Sequence, residues 1–267
     1  AQTFGVKSMG DWTTERVVFK ARELTAGASL YDDWSRGILA NYNYVYDFID
    51  TLRMEWALEV TKLEEAVGGV MRRNPAQDKK DAIVLNQSIW ENEVFWNGAN
   101  VNNKRVYGVL NAPGAAARTE TYDAFDMVTD VTTDKVIAFL TMVKQEFIND
   151  LQGNGDVEMM PIELACPIAW QTAFTTPNQY MITANKWLAE NWKNLTVSFK
   201  PELTNKCIVF AKSIPDVGMD TINLIRTSAL RLVGAVPTVN GREEAYSASV
   251  AGAFIACPFG MKIWELA

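Results

Sequence analysis

Three pairs of adjacent acidic residues are the side chains in this sequence that come closest to an acid–base centre. They are Asp32-Asp33, Glu64-Glu65 and Glu243-Glu244. Two carboxylates that flank one bond can hydrolyse a glycoside. Neighbouring residues on a strand or helix point in different directions, however, so one such pair does not bring both carboxylates to a common substrate. The pattern therefore favours solvated surfaces or helix starts.

Other kinds of chemistry are limited by composition and spacing. The chain has no histidine, which removes the commonest general base and the commonest transition-metal ligand. Cys166, Cys207 and Cys257 are far apart and form no Cys-x-x-Cys motif, so we expect small buried residues and no disulfide frame or zinc site. The Gly-x-Gly of residues 152–156 follows a helical pattern, which predicts a helix-ending turn instead of a dinucleotide loop. We expect no enzymatic activity, no cofactor and no metal.

Length and charge narrow the class of protein. With 267 residues, of which 48% are hydrophobic, the chain can bury one large core or two modest ones. A net charge of -7 argues against a surface that wraps nucleic acid through phosphate contacts. No apolar run approaches the roughly 18–20 residues that cross a bilayer, and no leader pattern opens the chain. The absence of an initial methionine fits either trimming of the initiator or cleavage of a longer N-terminal piece.

The first 60 residues divide into an arm and a β region. Residues 1–15 show no periodicity, and their Phe4 and Trp12 either dock on another surface or belong to a frayed terminus. Residues 16–60 alternate in the way that strands do. One alternation puts four aromatic side chains on one face: Tyr42, Tyr44, Tyr46 and Phe48.

A second alternation, from Met54 to Val60, follows the aromatic one. Together with the stretch rich in β-branched and aromatic residues that begins at Arg16, these alternations predict a long two-stranded ribbon. Its turn is expected within residues 31–41, where Trp34 and Arg36 are found. A hairpin at the edge of a β-sandwich fits the periodicity equally well. A lone ribbon is only marginally stable in water, and helices follow this one, so the aromatic stripe is expected to need an external partner.

Two helices are predicted next. Thr61 and Glu64 form a capping box for a short helix, and Asn74-Pro75 caps a longer one over about 75–97 that Gly98 ends. Three positions of the longer helix are expected to face a core: Ile83, Ile89 or Trp90, and Phe95 or Trp96. The second half of the chain then alternates between an amphipathic helix, a buried strand broken by Pro167, another helix and further strands.

This order of elements, with "ENEVFWNG" at 91–98 leading into "GVLNAPG" at 108–114, resembles the major capsid proteins of tailed bacteriophages with the Hong Kong ninety-seven-type fold. The resemblance implies an α+β fold with five parts. These are an N-terminal arm (1–15), an extended β-ribbon loop (16–60), a peripheral domain with a spine helix (61–131, helix about 75–97), an α/β axial domain (132–240) and a return to the peripheral domain (241–267).

The function implied by this resemblance is a structural one. Copies of the chain would form hexamers and pentamers of an icosahedral shell that encloses phage double-stranded DNA without sequence specificity. Further partners would be a scaffolding protein or segment, a prohead protease, a portal and a decoration protein, with assembly in the bacterial host cytoplasm and no membrane contact. The residues expected at subunit interfaces are Phe4, Trp12, Trp34, Arg36, Tyr42, Tyr44, Tyr46 and Phe48.

Two alternatives remain open from the sequence. An encapsulin-type compartment would share the fold but enclose proteins. A carbohydrate-binding or glycosidase domain would use the nine tryptophans as sugar platforms, although most of them lie on predicted apolar faces, which favours core packing.

The ribbon sequence predicts a shell without covalent links between subunits. Some members of the resembled fold form an isopeptide bond from a lysine in the extended loop, but no lysine lies between Lys20 and Lys62, and Arg36 is not an amine nucleophile at ordinary pH. We therefore expect mature particles boiled in detergent to release single subunits on a gel. A ladder of high-mass species that resists reductant would contradict this.

Overall fold

The computed structural model describes residues 6–25, 41–101, 104–151, 159–214 and 219–266. Its strands are β1 (Val6–Ser8), β2 (Arg16–Thr25), β3 (Asn41–Asp50), β4 (Leu52–Thr61), β5 (Ala99–Val101), β6 (Lys104–Val106), β7 (Thr119–Tyr122), β8 (Ile162–Pro167), β9 (Leu195–Lys200), β10 (Lys206–Ala211), β11 (Ser213–Ile214), β12 (Met219–Asp220), β13 (Ile222–Thr238), β14 (Gly241–Ile255) and β15 (Met261–Leu266). Its helices are α1 (Lys62–Met71), α2 (Pro75–Asn97), α3 (Pro113–Ala116), α4 (Thr133–Leu151), α5 (Gln171–Thr175) and α6 (Ala184–Asn191).

A four-stranded sheet in the order β1-β13-β14-β4 carries the long helix α2 on one face. Strand β1 is parallel to β13, and the other pairs are antiparallel. The alternation of β4 turns Leu58 and Val60 toward Ala76 and Ile83 of α2 to form a small core. Helix α2 packs along the sheet because its apolar residues at helical spacing face the sheet.

The second large sheet has five strands in the order β7-β15-β10-β8-β9. The largest core lies on its α4 side, where α4 supplies the fully buried Val136, Leu140, Val143 and Phe147. The opposite face packs against the C-terminal end of α2, which supplies Phe95 and Trp96 to a second core. Both faces of this sheet are therefore covered, as the uninterrupted burial of β8 requires.

The predicted helix caps are confirmed. The Thr61 hydroxyl accepts from the Glu64 backbone N–H, and the Glu64 carboxylate accepts from the Thr61 N–H. The Asn74 side chain caps α2, whose first residue is Pro75. Of the two candidates in the middle of α2, Trp90 is half-buried and packs with the core, whereas Ile89 is 57% exposed.

The motif at 91–98 and 108–114 marks a close backbone crossing. Gly98 ends α2 with a φ of 69°, a conformation that favours glycine. A Cβ on Gly108 would lie 2.3 Å from the Gly98 nitrogen, so the crossing requires glycine there as well. The Asn111 side chain fastens it: Oδ1 accepts from the Gly108 N–H at 2.7 Å, and Nδ2 donates to the Asn97 carbonyl at 2.6 Å.

The expected extent of the ribbon is corrected by the strand pairing. The ribbon consists of β2 and β3, which pair from Arg16↔Asp50 to Thr25↔Asn41. Strand β4 is not part of it, because β4 pairs with β14 along its whole length. An alternation with a period of two shows that a strand has two faces, but it does not identify the neighbouring strand. The predicted turn, with Trp34 and Arg36, lies outside the described residues.

The expected boundary at 240/241 also differs from the sheet topology. It falls in the turn between β13 and β14, two strands that pair with each other from Ile222↔Ile255 to Thr238↔Gly241. Within the expected final segment, β14 lies in the four-stranded sheet and β15 lies in the five-stranded one. The two C-terminal strands were predicted correctly, and they belong to different sheets.

A buried cation joins α4 to the five-stranded sheet. The Lys262 ammonium on β15 is 6% exposed and lies 2.8 Å from Glu146 of α4, 2.9 Å from Glu120 of β7 and 3.8 Å from Asp150 of α4. Burial lowers the pKa of Lys262, but these carboxylates more than offset that effect and leave the pKa above its usual value. The group is therefore charged in the folded subunit.

Replacing Lys262 by Met should destabilise the subunit because it leaves the three carboxylates without their shared cation. The side chains of Glu120, Glu146 and Asp150 are 58%, 33% and 24% exposed, and Asp150 keeps its ion pair with Arg118. We therefore expect a loss of about 1–3 kcal/mol, below the full cost of breaking a buried pair. Urea unfolding of the subunit measures the change. Lys206→Met on the adjacent strand, which breaks the more exposed pair with Glu265, is the matched control, and an equal loss in both variants would contradict a special role for Lys262.

Candidate functional site

The acidic pairs do not form a catalytic centre in the described residues. Glu64 belongs to the cap of α1, and hydrogen bonding from Lys79 lowers the pKa of its carboxyl. Glu243 is exposed, whereas Glu244 is buried on the other face of β14. The Tyr246 hydroxyl donates to Glu244 at 2.6 Å and lowers the pKa of this carboxyl, with Lys80 and Arg242 nearby. Such a group stays ionised and is not a proton donor at neutral pH. Asp32 and Asp33 lie outside the described residues.

A groove of about 850 Å³ lies between α2 and β13. Its charged lining includes Glu91, whose carboxylate accepts hydrogen bonds from Arg226 and from Gln87. The ion pair between Glu91 and Arg226 links α2 to β13. The groove thus combines an ion pair with apolar residues such as Val84 and Leu230. The Ser88 hydroxyl, which also lines it, donates to the Val84 carbonyl.

The cysteines are core residues, as expected, and seven of the nine tryptophans lie in a hydrophobic core or pack against one. Cys166, Cys207 and Cys257 are free and buried, and burial raises the pKa of Cys207 well above its usual value. The tryptophans that are at most 2% exposed are Trp96, Trp170, Trp192 and Trp264. Burial at these positions does not suit a sugar platform. In the described part of the chain, no group of three or more potential ligands could hold a metal ion.

The ribbon has one face that packs on its own subunit. Val17 is 5% exposed and joins Ile225 and Ala251 of the four-stranded sheet in a small core. The Phe19 ring stacks on Phe254 with centroids 3.9 Å apart. The ribbon is therefore anchored where it leaves the body, on the sheet face opposite α2.

The other face of the ribbon is apolar and open to solvent. Phe48 is 57% exposed, and Val18, its register partner on β2, is 59% exposed. Tyr46, two residues before Phe48 on the same strand face, is 64% exposed. Val18 on β2 and Tyr46 and Phe48 on β3 therefore form an exposed patch of large apolar side chains. Arg16 borders this patch, with its guanidinium carbon 4.8 Å from the Phe48 ring centroid.

The predicted interface residues are distributed as follows. Tyr46 and Phe48 lie on this exposed face. Tyr42 and Tyr44 on β3 are the register partners of Leu24 and Arg22 on β2. Phe4, Trp34 and Arg36 lie outside the described residues.

Trp12, which was expected at an interface, contacts its own subunit. Its indole N–H donates to the Ser247 hydroxyl at 3.3 Å, and the guanidinium carbons of Arg53 and Arg231 lie 4.5 Å and 4.3 Å from its ring centroid. Arg53 also donates to the Trp12 carbonyl. These contacts span β4, β13 and β14 and assign Trp12 an anchoring role within the subunit.

One apolar surface was missed in the sequence. The capping box predicts helix α1, but it does not predict which face of the helix is exposed. Four of them are exposed in the structure: Leu63, Val67, Val70 and Met71. Their spacing of i, i+4, i+7 and i+8 was visible in the sequence, yet such a stripe ordinarily predicts a face turned toward the subunit's own core.

Among the described helices, none is both long and apolar enough to cross a membrane. The exposed apolar surfaces of the ribbon and of α1 are the candidate functional sites. They indicate contacts with other macromolecules.

One family model matches nearly the whole chain. Residues 1–264 match the family of the Pa193 gp26 major capsid protein. No curated protein matches the sequence. The fold is similar to that of a chain from the capsid of Myoviridae phage XM1, with a TM-score of 0.74 at 10% identity, covering 99% of this chain and 90% of that one.

Further solved structures share the fold. A chain from the capsid of a native GTA particle matches with a TM-score of 0.62 at 11% identity, covering 100% of this chain and 89% of that one. A chain from the capsid of cyanophage P-SCSP1u matches with a TM-score of 0.57 at 11% identity, covering 98% and 86%. The fold is thus the Hong Kong ninety-seven-type α+β fold of phage capsids. The chain belongs to the family of the Pa193 gp26 major capsid protein and serves as a structural subunit of an icosahedral phage shell.

Proposed function

We propose that the β2–β3 ribbon is the extended loop that lies over a neighbouring subunit, and that it holds hexamers and pentamers of the chain together. The observation that carries this proposal is the exposed row of Val18, Tyr46 and Phe48 on a ribbon whose other face is anchored by Phe19. Because the face with Phe19 packs on the subunit's own sheet, the face with Tyr46 and Phe48 points away from that sheet.

The energetics favour a second subunit as the partner of this face. Fully burying a large apolar side chain contributes about 1.5–3 kcal/mol before ordering costs are subtracted. One ribbon therefore makes a modest contact, but closed symmetry repeats the same contact many times. Permanent interfaces in assemblies bury about 2,000 Å² or more in total, so the ribbon is expected to act together with other surfaces.

The other parts of the subunit take their roles from the same proposal. The segment before the ribbon acts as the arm, which Trp12 anchors to its own sheet. The four-stranded sheet with α2 acts as the peripheral domain, and α2 is its spine. The five-stranded sheet with α4 acts as the main part of the axial domain, which meets other copies at the centre of each ring.

The shell would enclose double-stranded DNA without reading its sequence. A net charge of -7 suits this role, because a strongly basic lining would hold the DNA by counterion release and hinder packaging. Assembly in the host cytoplasm, with a scaffolding protein or segment, a prohead protease, a portal and a decoration protein, completes the proposal. The subunit acts by structure and not as an enzyme.

Two other functions have less support. An encapsulin-type compartment of the same fold would be recognised by protein cargo in purified particles, but the family match is to a phage major capsid protein. A carbohydrate-binding role would need exposed tryptophans, whereas those at 96, 170, 192 and 264 are buried.

The double variant Tyr46→Asp/Phe48→Asp tests the ribbon as an interface. Both side chains are more than half exposed, so we expect a folded, soluble subunit with near-normal circular dichroism. Shell closure should fail, because burying unpaired carboxylates at the contact is strongly unfavourable. Negative-stain microscopy and sedimentation measure closure.

Two controls complete this experiment. Tyr46→Phe/Phe48→Tyr keeps the aromatic surface and should assemble normally. Phe19→Asp, on the anchored face, should destabilise the subunit itself. Intact shells of normal stability from the double aspartate variant would show that this face of the ribbon is not an interface.

A further inference from the structure

Two of the three cysteines lie opposite each other on neighbouring strands. Strands β8 and β10 are antiparallel, and their register pairs Ala165 with Ile208. One further step along the same register brings Cys166 of β8 opposite Cys207 of β10. Directly opposed residues of an antiparallel pair have Cα atoms about 4.5–5.5 Å apart, and a disulfide bridges Cα atoms about 4.4–6.8 Å apart. The strand pairing therefore suits a disulfide between these two residues.

The two thiols also lie on the same side of the sheet. Cys166 and Cys207 both belong to the core between the five-stranded sheet and α4, and neither is exposed to solvent. Burial raises the pKa of Cys207, and a hydrogen bond with the Cys166 thiol raises this pKa further. The strand register and the contact between the thiols thus place the two sulfur atoms side by side.

The third cysteine stands apart from this pair. Cys257 lies between β14 and β15. Burial raises its pKa too, but without a contribution from another thiol. Cys257 is therefore an internal reference for a buried thiol outside the pair.

We propose that Cys166 and Cys207 are an oxidative modification site, which forms a disulfide within the subunit once the shell leaves the reducing cytoplasm of the host, with dissolved oxygen as the oxidant. Two S–H bonds break and one S–S bond forms. The two electrons and two protons that the thiols lose reduce one O₂ to H₂O₂. This inference goes beyond the proposed function and takes from it only the compartment of assembly, where thiols stay reduced.

The bond joins strands in the middle of the five-stranded sheet. Strand β10 lies between β15 and β8, and β8 lies between β10 and β9. The disulfide closes a loop of about 40 residues, which includes α5, α6 and β9, and such a closure restricts the unfolded chain more than the folded one. The bond therefore raises the thermal stability of the subunit without changing its fold. Because both cysteines belong to one chain, it does not link subunits.

Burial explains why the pair stays reduced during assembly. The thiolate is the reactive form of a cysteine, and the pKa of Cys207 lies well above its usual value because the thiol is buried. An oxidant reaches the two sulfur atoms only when this part of the sheet opens locally. Formation of the disulfide in the folded subunit is therefore slow, on the order of hours.

The first test oxidises the folded, full-length chain. The chain is purified under reductant and then incubated with diamide, a small azodicarboxamide that takes up the two electrons and two protons and becomes a hydrazine. The protein is then unfolded, and its remaining thiols are alkylated with N-ethylmaleimide. Mass spectrometry should find one alkylated thiol, at Cys257, in place of the three of the reduced chain. Peptide mapping should find Cys166 linked to Cys207.

The second test measures the effect of the bond on stability. The oxidised chain should melt about 5–10 °C above the reduced chain, because the disulfide closes a long loop. Cys207→Ala should melt at the same temperature with and without diamide treatment. The matched control is Cys257→Ala, which also removes a buried cysteine but should keep the full increase on oxidation.

Three outcomes would overturn this inference: three alkylated thiols after prolonged oxidation of the folded chain, a mixture of disulfides that includes Cys257, or equal melting temperatures of the oxidised and reduced chains. None of these measurements requires a shell. Failure of the unmodified chain to assemble would instead contradict the proposed function, so the two failures are distinguishable.

Discussion

The crossing of Gly108 over the end of α2 joins the two sheets of the subunit. Backbone hydrogen bonds run from Val109 to the Phe95 carbonyl at 2.8 Å and from Leu110 to the Trp96 carbonyl at 3.1 Å. They hold the end of α2, which lies on the four-stranded sheet, against the core of the five-stranded sheet. Because both glycines sit where a Cβ would meet backbone atoms, this junction depends on the sequence at two positions and on the Asn111 clamp.

The junction leaves the exposed faces of the ribbon and of α1 outside the core. The ribbon is anchored through one face at its base, and α1 is held through Glu64 and Gly68. Their opposite faces contribute little to the stability of the subunit because they are exposed. Substitutions on these faces can therefore change assembly without unfolding the subunit, whereas changes at Phe19 or Lys262 act on the fold itself.

Local sequence signals predicted the helices and strands well, but they did not predict which distant strands pair with each other. The caps at Thr61 and Asn74 and the stop at Gly98 act within a few residues, and the structure confirms all three. The partner of β4 is β14, nearly 190 residues away, and no local pattern specifies such a pairing. The contacts of Trp12 could not be predicted for the same reason, since its two arginine neighbours come from distant strands.

The candidate site was predicted only in part, for a related physical reason. Alternation in β3 showed that Tyr46 and Phe48 share a face, and they are exposed on it together. Periodicity defines the two faces of an element but not which one turns to solvent; that depends on the element's anchors. In the ribbon the anchor is Phe19, and in α1 it is Gly68, whose position under Pro75 follows from the geometry of two consecutive helices. An exposed apolar face becomes evidence for a partner only when such an anchor explains why it cannot turn inward.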